Sequence, residues 1–593
     1  MLSVTAFTVH DSGGSIDSRI LARFHNKGEL EEFLSREATF PDAFASTRAP
    51  YDAGYSMDEA STGVPHSQTN VQVEGVDEDD FVKTDGRYIY VSSGYEVSIL
   101  RAYPAEDMEV ISSIPSWVLV GDAQNTTARV SGLFLSGDRL VVIASLYTSY
   151  RGLYSGVLEE DSSNSYDPSK TMVAVFDISD PTVPVLEFST GISGYVMSCR
   201  MIDSTVYAIT QHQIRTWTGE IRVPITYANG EPSEMRLSGI RYDPETPQAT
   251  RYVNVLAVDL VDGDHESLSI LAGWASTIYM SSNSLYLTIQ KWRGDLTVVD
   301  DGIASDHPER SSTSIYRIDL EGIVMHPAAT GDVTGWLLNQ FSMDEHESYL
   351  RVATTTSWES PENAVYVLNE KLRIVGALEK LAPDERIYSA RFVGDKLYLV
   401  TFRQMDPLFV IDLSRPSRPM VVGMLEIPGF SNYLHPIDET HVLGIGQENS
   451  TVKLSLFNVS DPTSPVVQSK YVLEDATWSV ALYDHKAVLY DAERELLVIP
   501  GYSYFFGDNY SYRTMSSAYV FTVSVSEGIS LKGIITLDLE TESWSGYIQR
   551  TLYIGEYLYT VSEGAVQANL IEDLAFVKLV EFANYSHYRS FWA

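Results

Sequence analysis

The densest group of residues able to do chemistry is a run of carboxylates: Glu74, Asp77, Glu78, Asp79 and Asp80, followed by Asp85. Hard oxygen ligands at this density suit Ca²⁺, which makes Asp77, Glu78, Asp79 and Asp80 candidate cation ligands. The run lacks the ligand-and-glycine order of an EF-hand, and in an extended segment successive side chains point to opposite faces. A turn-capping, solvated or docking role ahead of the main body is the competing expectation. His435, Asp438 and His441, with Asp484 and His485 further on, are a second set whose imidazoles and carboxylates suit a transition metal. His435 and His441 flank a predicted hairpin turn, so sharing an ion requires that turn to fold them together. Imidazoles bonded to backbone are the commoner outcome. Hydrolytic motifs are missing: no G-x-S-x-G stands between a strand and a helix, and no H-E-x-x-H is present. The many Asp and Glu could supply a glycosidase pair, but none can be placed at a defined separation.

Binding chemistry is better represented. Tyr147, Tyr150, Tyr154, Tyr502, Tyr504, Phe505, Phe506, Tyr510 and Tyr512 cluster in two polar insertions. Tyrosine offers rigid contact area and a hydroxyl, so Tyr150, Tyr154, Tyr504, Phe505 and Tyr510 are the candidate rim for protein or glycan. Packing of the same rings over the body is the alternative. Sequons occur at Asn125, Asn449, Asn458, Asn509 and Asn584; Asn125, Asn449 and Asn509 fall in predicted loops and are the candidate glycan acceptors. The single cysteine, Cys199, excludes a disulfide framework and multi-cysteine metal sites, and reads as a buried structural thiol. A net charge of −39 argues against nucleic acid, whose backbone needs a basic surface. No run reaches the roughly 18–20 apolar residues of a membrane helix, and Met1–His10 does not read as a signal peptide.

The elements that must position these residues repeat. An alternating apolar run, a tight Gly/Asp turn and a second run ending in aromatics recur as SGLFLSGDRLVVIAS (Ser131–Ser145), SARFVGDKLYLVTF (Ser389–Phe402) and RTLYIGEYLYTVSEG (Arg550–Gly564), with looser copies from Ser198 and Ser276. One hairpin cannot bury its own apolar face, so the copies must stack. First-to-second-strand turns fall at Asp85-Gly86, Gly137-Asp138, Asp203-Ser204, Ser282-Asn283, Glu345-His346, Gly394-Asp395, Asp438-Glu439, Asp484-His485 and Gly555-Glu556. The steps of roughly 45–80 residues start at the length of a four-stranded blade, and the longer ones carry insertions near 147–170, 213–250, 290–312 and 501–515. A third strand ends in VAVFDISDPTVP, FVIDLSRPSRP and LSLFNVSDPTSP, where Asp177, Asp412 and Asn458 suit Asx-turns and the prolines stop the strand. The expected fold is an all-β propeller of eight or nine four-stranded blades, nine counted, or eight if the first and last units merge. Residues 1–70 would hold a strand, a helix over Arg19–Arg36 and a linker, 71–583 the propeller, and 584–593 an aromatic tail. Leu2–His10 and Asn584–Ala593 could either close the ring or pair with a neighbouring subunit.

Four stretches carry a resemblance: TNVQVEGVDEDDFVKTDGRYIYV (Thr69–Val91), SARFVGDKLYLVTF with FVIDLSRPSRP, IPGFSNYLHPIDETHVLGIGQE (Ile427–Glu448), and SLFNVSDPTSP with YDHKAVLYDAERELLVIP. On these the chain resembles archaeal secreted or surface proteins with a C-terminal β-propeller distantly related to WD-type repeats. The resemblance spans most of Thr69 to Glu581. It implies the propeller and an extracellular or cell-surface location, usually reached through a leader, and supplies no active site. The expectation is a non-enzymatic platform for protein or glycan, with Ca²⁺ as the one cofactor suggested and self-assembly through terminal strands as a further partner. The alternative is a hydrolase or lyase acting on polysaccharide or peptide at the channel.

Overall fold

The computed structural model describes residues 20–35, 63–121, 126–148, 169–214, 221–244, 249–291, 298–299, 302–303, 311–357, 360–402, 406–506, 512–537 and 546–582. Among them, nine four-stranded antiparallel meanders follow one another along the chain. Blades 1 to 9 cover residues 82–115, 126–193, 195–272, 275–334, 343–381, 386–427, 430–472, 489–536 and 550–581. The alternation of Val, Ile, Leu and Tyr seen in the sequence is what two-sided burial between blades requires. Second and third strands are almost wholly buried, as in Arg251–Asp259 and Thr451–Asn458, while fourth strands such as Val466–Val472 face outward.

The ring closes by packing blade 9 on blade 1. Leu552, Tyr559 and Val566 share one core with Ile89, Val91 and Leu100, and the Tyr559 hydroxyl donates to the Ala102 carbonyl at 2.5 Å. The first and last units remain separate sheets, so the merger that would give eight blades does not occur. Two predicted turns move. In blade 5 the turn is at Glu347-Ser348, both with positive φ, rather than Glu345-His346. In blade 8, Asp484-His485 belongs to short 3-10 turns, and the first strand is Leu489–Asp491. Asp484 caps the second of these turns by accepting from Lys486 N, so its turn chemistry was real but one element early.

The Asx-turns form as the repeat suggests. Asp177, Asp412 and Asn458 accept from Ser179 N, Ser414 N and Ser460 N at 2.9, 3.0 and 3.0 Å. Their further use is between blades. The turn of blade 7 lies against Gly423 in the outer strand of blade 6, where a Cβ would stand 2.0 Å from Pro462 O and 3.0 Å from Pro465 Cδ. The turn of blade 6 lies against Gly376 of blade 5 in the same way, 2.1 Å from Pro416 O. The D-x-S-x-P-x-x-P phrase therefore sets both the end of its own strand and the spacing to the preceding blade.

The insertions enlarge particular blades. Residues 213–250 give Ile225–Ala228 and Glu231–Glu234 to the edge of blade 2 and Ile240–Tyr242 to blade 3, paired parallel to its outer strand. Ala22–Arg23 then pairs with Ile240–Tyr242, and a helix follows over Lys27–Ser35. Asn26 starts that helix by accepting from Glu29 N at 3.0 Å, which shortens the helix expected over Arg19–Arg36. Phe24, Leu30 and Leu34 pack into the core of blades 2 and 3, with Phe24 stacked on Tyr242 at 4.2 Å. Leu2–His10 and Asn584–Ala593 lie outside the described residues.

Gly423→Ala should lower thermal stability by about 1–3 kcal/mol, because the added carbon meets backbone rather than a movable side chain. Differential scanning calorimetry of the variant checks this; an unchanged melting temperature would mean that the blade 6–7 spacing is soft.

Candidate functional site

Residues 63–80 do not approach the ring from outside; they run through its centre. Ser67 N donates to Tyr553 O of blade 9 at 3.0 Å. The Asn70 amide donates to His485 O and Val488 O ahead of blade 8, and the Gln72 amide to Gln340 O and Met343 O at blade 5. Asp77–Glu78 pairs with Met201 and Arg200 in the first strand of blade 3, and Asp80 forms a bridge with Leu133 in that of blade 2. Contacts to the first strands or approaches of blades on all sides of the ring put the segment on the axis.

The four candidate cation ligands all lie in this axial segment, and protein groups meet each of them. Asp77 takes Lys83 Nζ at 2.8 and 3.0 Å. Glu78, fully buried, lies 3.7 Å from Arg200 Nη2 and accepts from Gln72 N. Asp79 accepts from Cys199 N, and its carbonyl takes Lys486 Nζ at 2.7 Å. Asp80 takes Arg550 Nε at 2.9 and 3.2 Å, while Nη2 of the same arginine reaches Asp484 at 2.5 Å. Gly132 makes room for this: a Cβ there would stand 2.3 Å from Asp79 Oδ2. Burial pushes the Glu78 carboxyl up and the Cys199 thiol well up. Among the described residues no group of three or more His, Cys, Asp or Glu stands ready to hold a metal ion.

The cations are what sequence reasoning missed. Lys83, Arg200, Arg391, Lys486 and Arg550 are each under a tenth exposed, and all sit in or next to first strands. The signal was present in the repeat itself, where SCRM, SARF and QRTL place an arginine inside an apolar inner strand. First strands also carry a bulge, at Ser131, Met197, Ser276, Tyr388 and Asn432, which re-aims side chains near the axis.

Of the second set, His435 and His441 are separated. His435 is fully buried beside Tyr433, whose hydroxyl lies 3.1 Å from its Nδ1. His441 is held by Asp438 and by Gln468 Oε1 at 3.0 Å. His485 joins His435 near the axis, its ring 5.4 Å from Phe341 and 6.0 Å from Tyr433. Of the remaining candidates, Asn449 is exposed at a two-residue hairpin tip with positive φ. Asn125, Asn509, Tyr150, Tyr154 and Tyr510 lie outside the described residues. Tyr504 and Phe505 extend the second strand of blade 8, paired with Thr514 and Arg513. Tyr502 is not a rim residue: it is buried against Trp478, and its hydroxyl donates to Ile548 O because the strand is still inside the blade there.

This arrangement defines a β-propeller whose axis is filled by its own N-terminal segment through buried ion pairs. The chain matches the beta propeller domain family over residues 66–574 and belongs to that family. An uncharacterized protein of Archaeoglobus fulgidus is 30% identical over 94% of this chain and 93% of its own length. An uncharacterized protein of Methanocaldococcus jannaschii is 27% identical over 88% and 84%. Solved structures are more distant. The dihydro-heme d1 dehydrogenase NirN shares 11% identity over 77% of this chain and 74% of its own, at a TM-score of 0.33. Prolyl oligopeptidase B from Galerina marginata shares 11% over 75% and 55%, also at 0.33. Among the described residues no helix is long and apolar enough to cross a membrane.

Burial and the nearby Arg391 push the His435 imidazole down to about 3, and burial among cations pushes His485 well down. The unfolded chain therefore binds these protons first. The stability they confer is full above the ordinary histidine value and is lost as pH falls through it toward about 3. Melting temperature should drop between pH 7 and 4, less steeply in His435→Gln; parallel curves would remove His435 from the account.

Proposed function

We propose that the protein is a non-enzymatic recognition scaffold that works at the cell surface or outside the cell, binding protein or glycan through the faces and rim of the ring. The observation that carries this reading is the filled axis. A propeller enzyme of the channel type needs an open, wet centre in which acids converge on a substrate, and here Asp77, Glu78, Asp80 and Asp484 each face a protein cation. Propellers host unrelated functions, so the site rather than the fold has to decide, and this site is a structural seal.

Several features suit recognition. The ring is a rigid frame, and the sequence carries Tyr-rich insertions near 147–170 and 501–515. Trp117 is 70% exposed, an aromatic of the kind that anchors interfaces. Asn449 at its hairpin tip is accessible for glycosylation, in keeping with an exported protein. Assembly through the end segments, 1–10 and 584–593, is a compatible mode of action.

The test uses the purified full chain against arrayed glycans and against envelope fractions of its host. Saturable binding that is lost when residues 149–168 are replaced by a short Gly-Ser link, with the melting temperature unchanged, supports the scaffold. Turnover of a polysaccharide or peptide substrate by the pure protein would overturn it in favour of a hydrolase or lyase.

A further inference from the structure

We propose that the closed axis binds a small monovalent anion of the halide class against Arg391, on the arc of the ring formed by blades 5 to 8. The other buried axial cations have acceptors: Lys83 has Asp77, Arg200 has the Cys199 carbonyl and Gln340 with Glu78 as a longer ion-pair partner at 3.7 Å, Lys486 has the Asp79 carbonyl, and Arg550 has Asp80 and Asp484. Arg391 is the exception. It is 7% exposed, its Nε and Nη1 are buried without a hydrogen-bond partner, and its guanidinium sits over the Phe341 ring at 5.0 Å. An arginine cannot shed its charge by losing a proton. A cation–π contact contributes roughly 0.5–2 kcal/mol, against a desolvation cost of several kcal/mol for a buried ion.

The groups around it are also short of an acceptor. His485 has both ring nitrogens buried and without a hydrogen-bond partner, and its Nδ1 is 3.7 Å from an Asp484 oxygen, beyond hydrogen-bond reach. The rings of Phe341, Tyr433 and His485 pack at 5.4–6.0 Å from one another, which brings this imidazole and the guanidinium to the same aromatic cluster. Burial, and after it the nearby Lys486, Arg550, Arg391 and Arg200, keep the His485 ring neutral, so that it presents one N–H. An uncompensated positive charge and an imidazole N–H thus share one enclosed place. Water would satisfy the donors but not the charge. A multivalent oxyanion would bring more negative charge than this one guanidinium offsets.

Crystals of the full chain grown in sodium bromide, with data collected at the bromine absorption edge, test this directly. The expected result is an anomalous peak in contact with Arg391 Nε or Nη1 and the His485 ring. In solution at fixed ionic strength, exchanging gluconate for bromide should raise the melting temperature of the wild type by at least about 1–2 °C, and that of Arg391→Met not at all. Wild-type crystals with only water at Arg391, or a wild-type melting temperature indifferent to the halide, would overturn the proposal whether or not the variant folds.

Discussion

Everything in this ring depends on desolvated carboxylates meeting desolvated cations at its centre. Taking either partner out of water alone would cost several kcal/mol, so each pair holds only while the other partner is in place. Arg550 makes the constraint concrete. It comes from blade 9, bonds Asp80 of the axial segment and Asp484 ahead of blade 8, and thereby ties three parts of the chain separated by up to 470 residues. Apolar packing between neighbouring blades is local and could be met by rings of other sizes. The axial pairs are not local, and they fit one arrangement.

The same constraint explains why an acidic chain keeps its few cations where it does. With 41 Lys and Arg against 80 Asp and Glu, a cation in an inner strand is not a surface residue that strayed. The bulge in each of several first strands and the bare Cα of Gly132 both serve to bring polar groups to the axis. Outside the axis, the Asx-Pro turns of blades 6 and 7 set the blade spacing by close packing against a glycine of the preceding blade. Centre and periphery are held by different physics: ion pairs within, close backbone packing without.

Much of the fold was legible in the sequence because repetition averages out local ambiguity. The phrase shared by Ser131–Ser145 and Ser389–Phe402 sets strand, turn and strand, and Asp177, Asp412 and Asn458 act as turn residues wherever the phrase occurs. Blade 8 departs because the residues before its first strand form 3-10 turns capped by Ser479 and Asp484, which locally resemble a hairpin turn. The site was legible only in part. Asp77 to Asp80 stood out as a cluster; Asp77 meets the nearby Lys83, but the partners of Glu78, Asp79 and Asp80 lie over a hundred residues away in Arg200, Lys486 and Arg550, and no local spacing reports such a pairing. His435 and His441 looked like a pair because they are near in sequence, yet His435 lies in the inner strand beside Tyr433 while His441 opens the second strand, held by Asp438 and Gln468.

Native-state hydrogen exchange on the full chain tests the central claim most directly. If the axial segment seals the ring, the amides of Val76 and Asp80, and that of Leu133, which donates to the Asp80 carbonyl, should exchange only through global unfolding, as slowly as the middle strands of the blades. Exchange of these amides within seconds, while the blades stay protected, would show that the segment is a loose tail and not the part on which the ring depends.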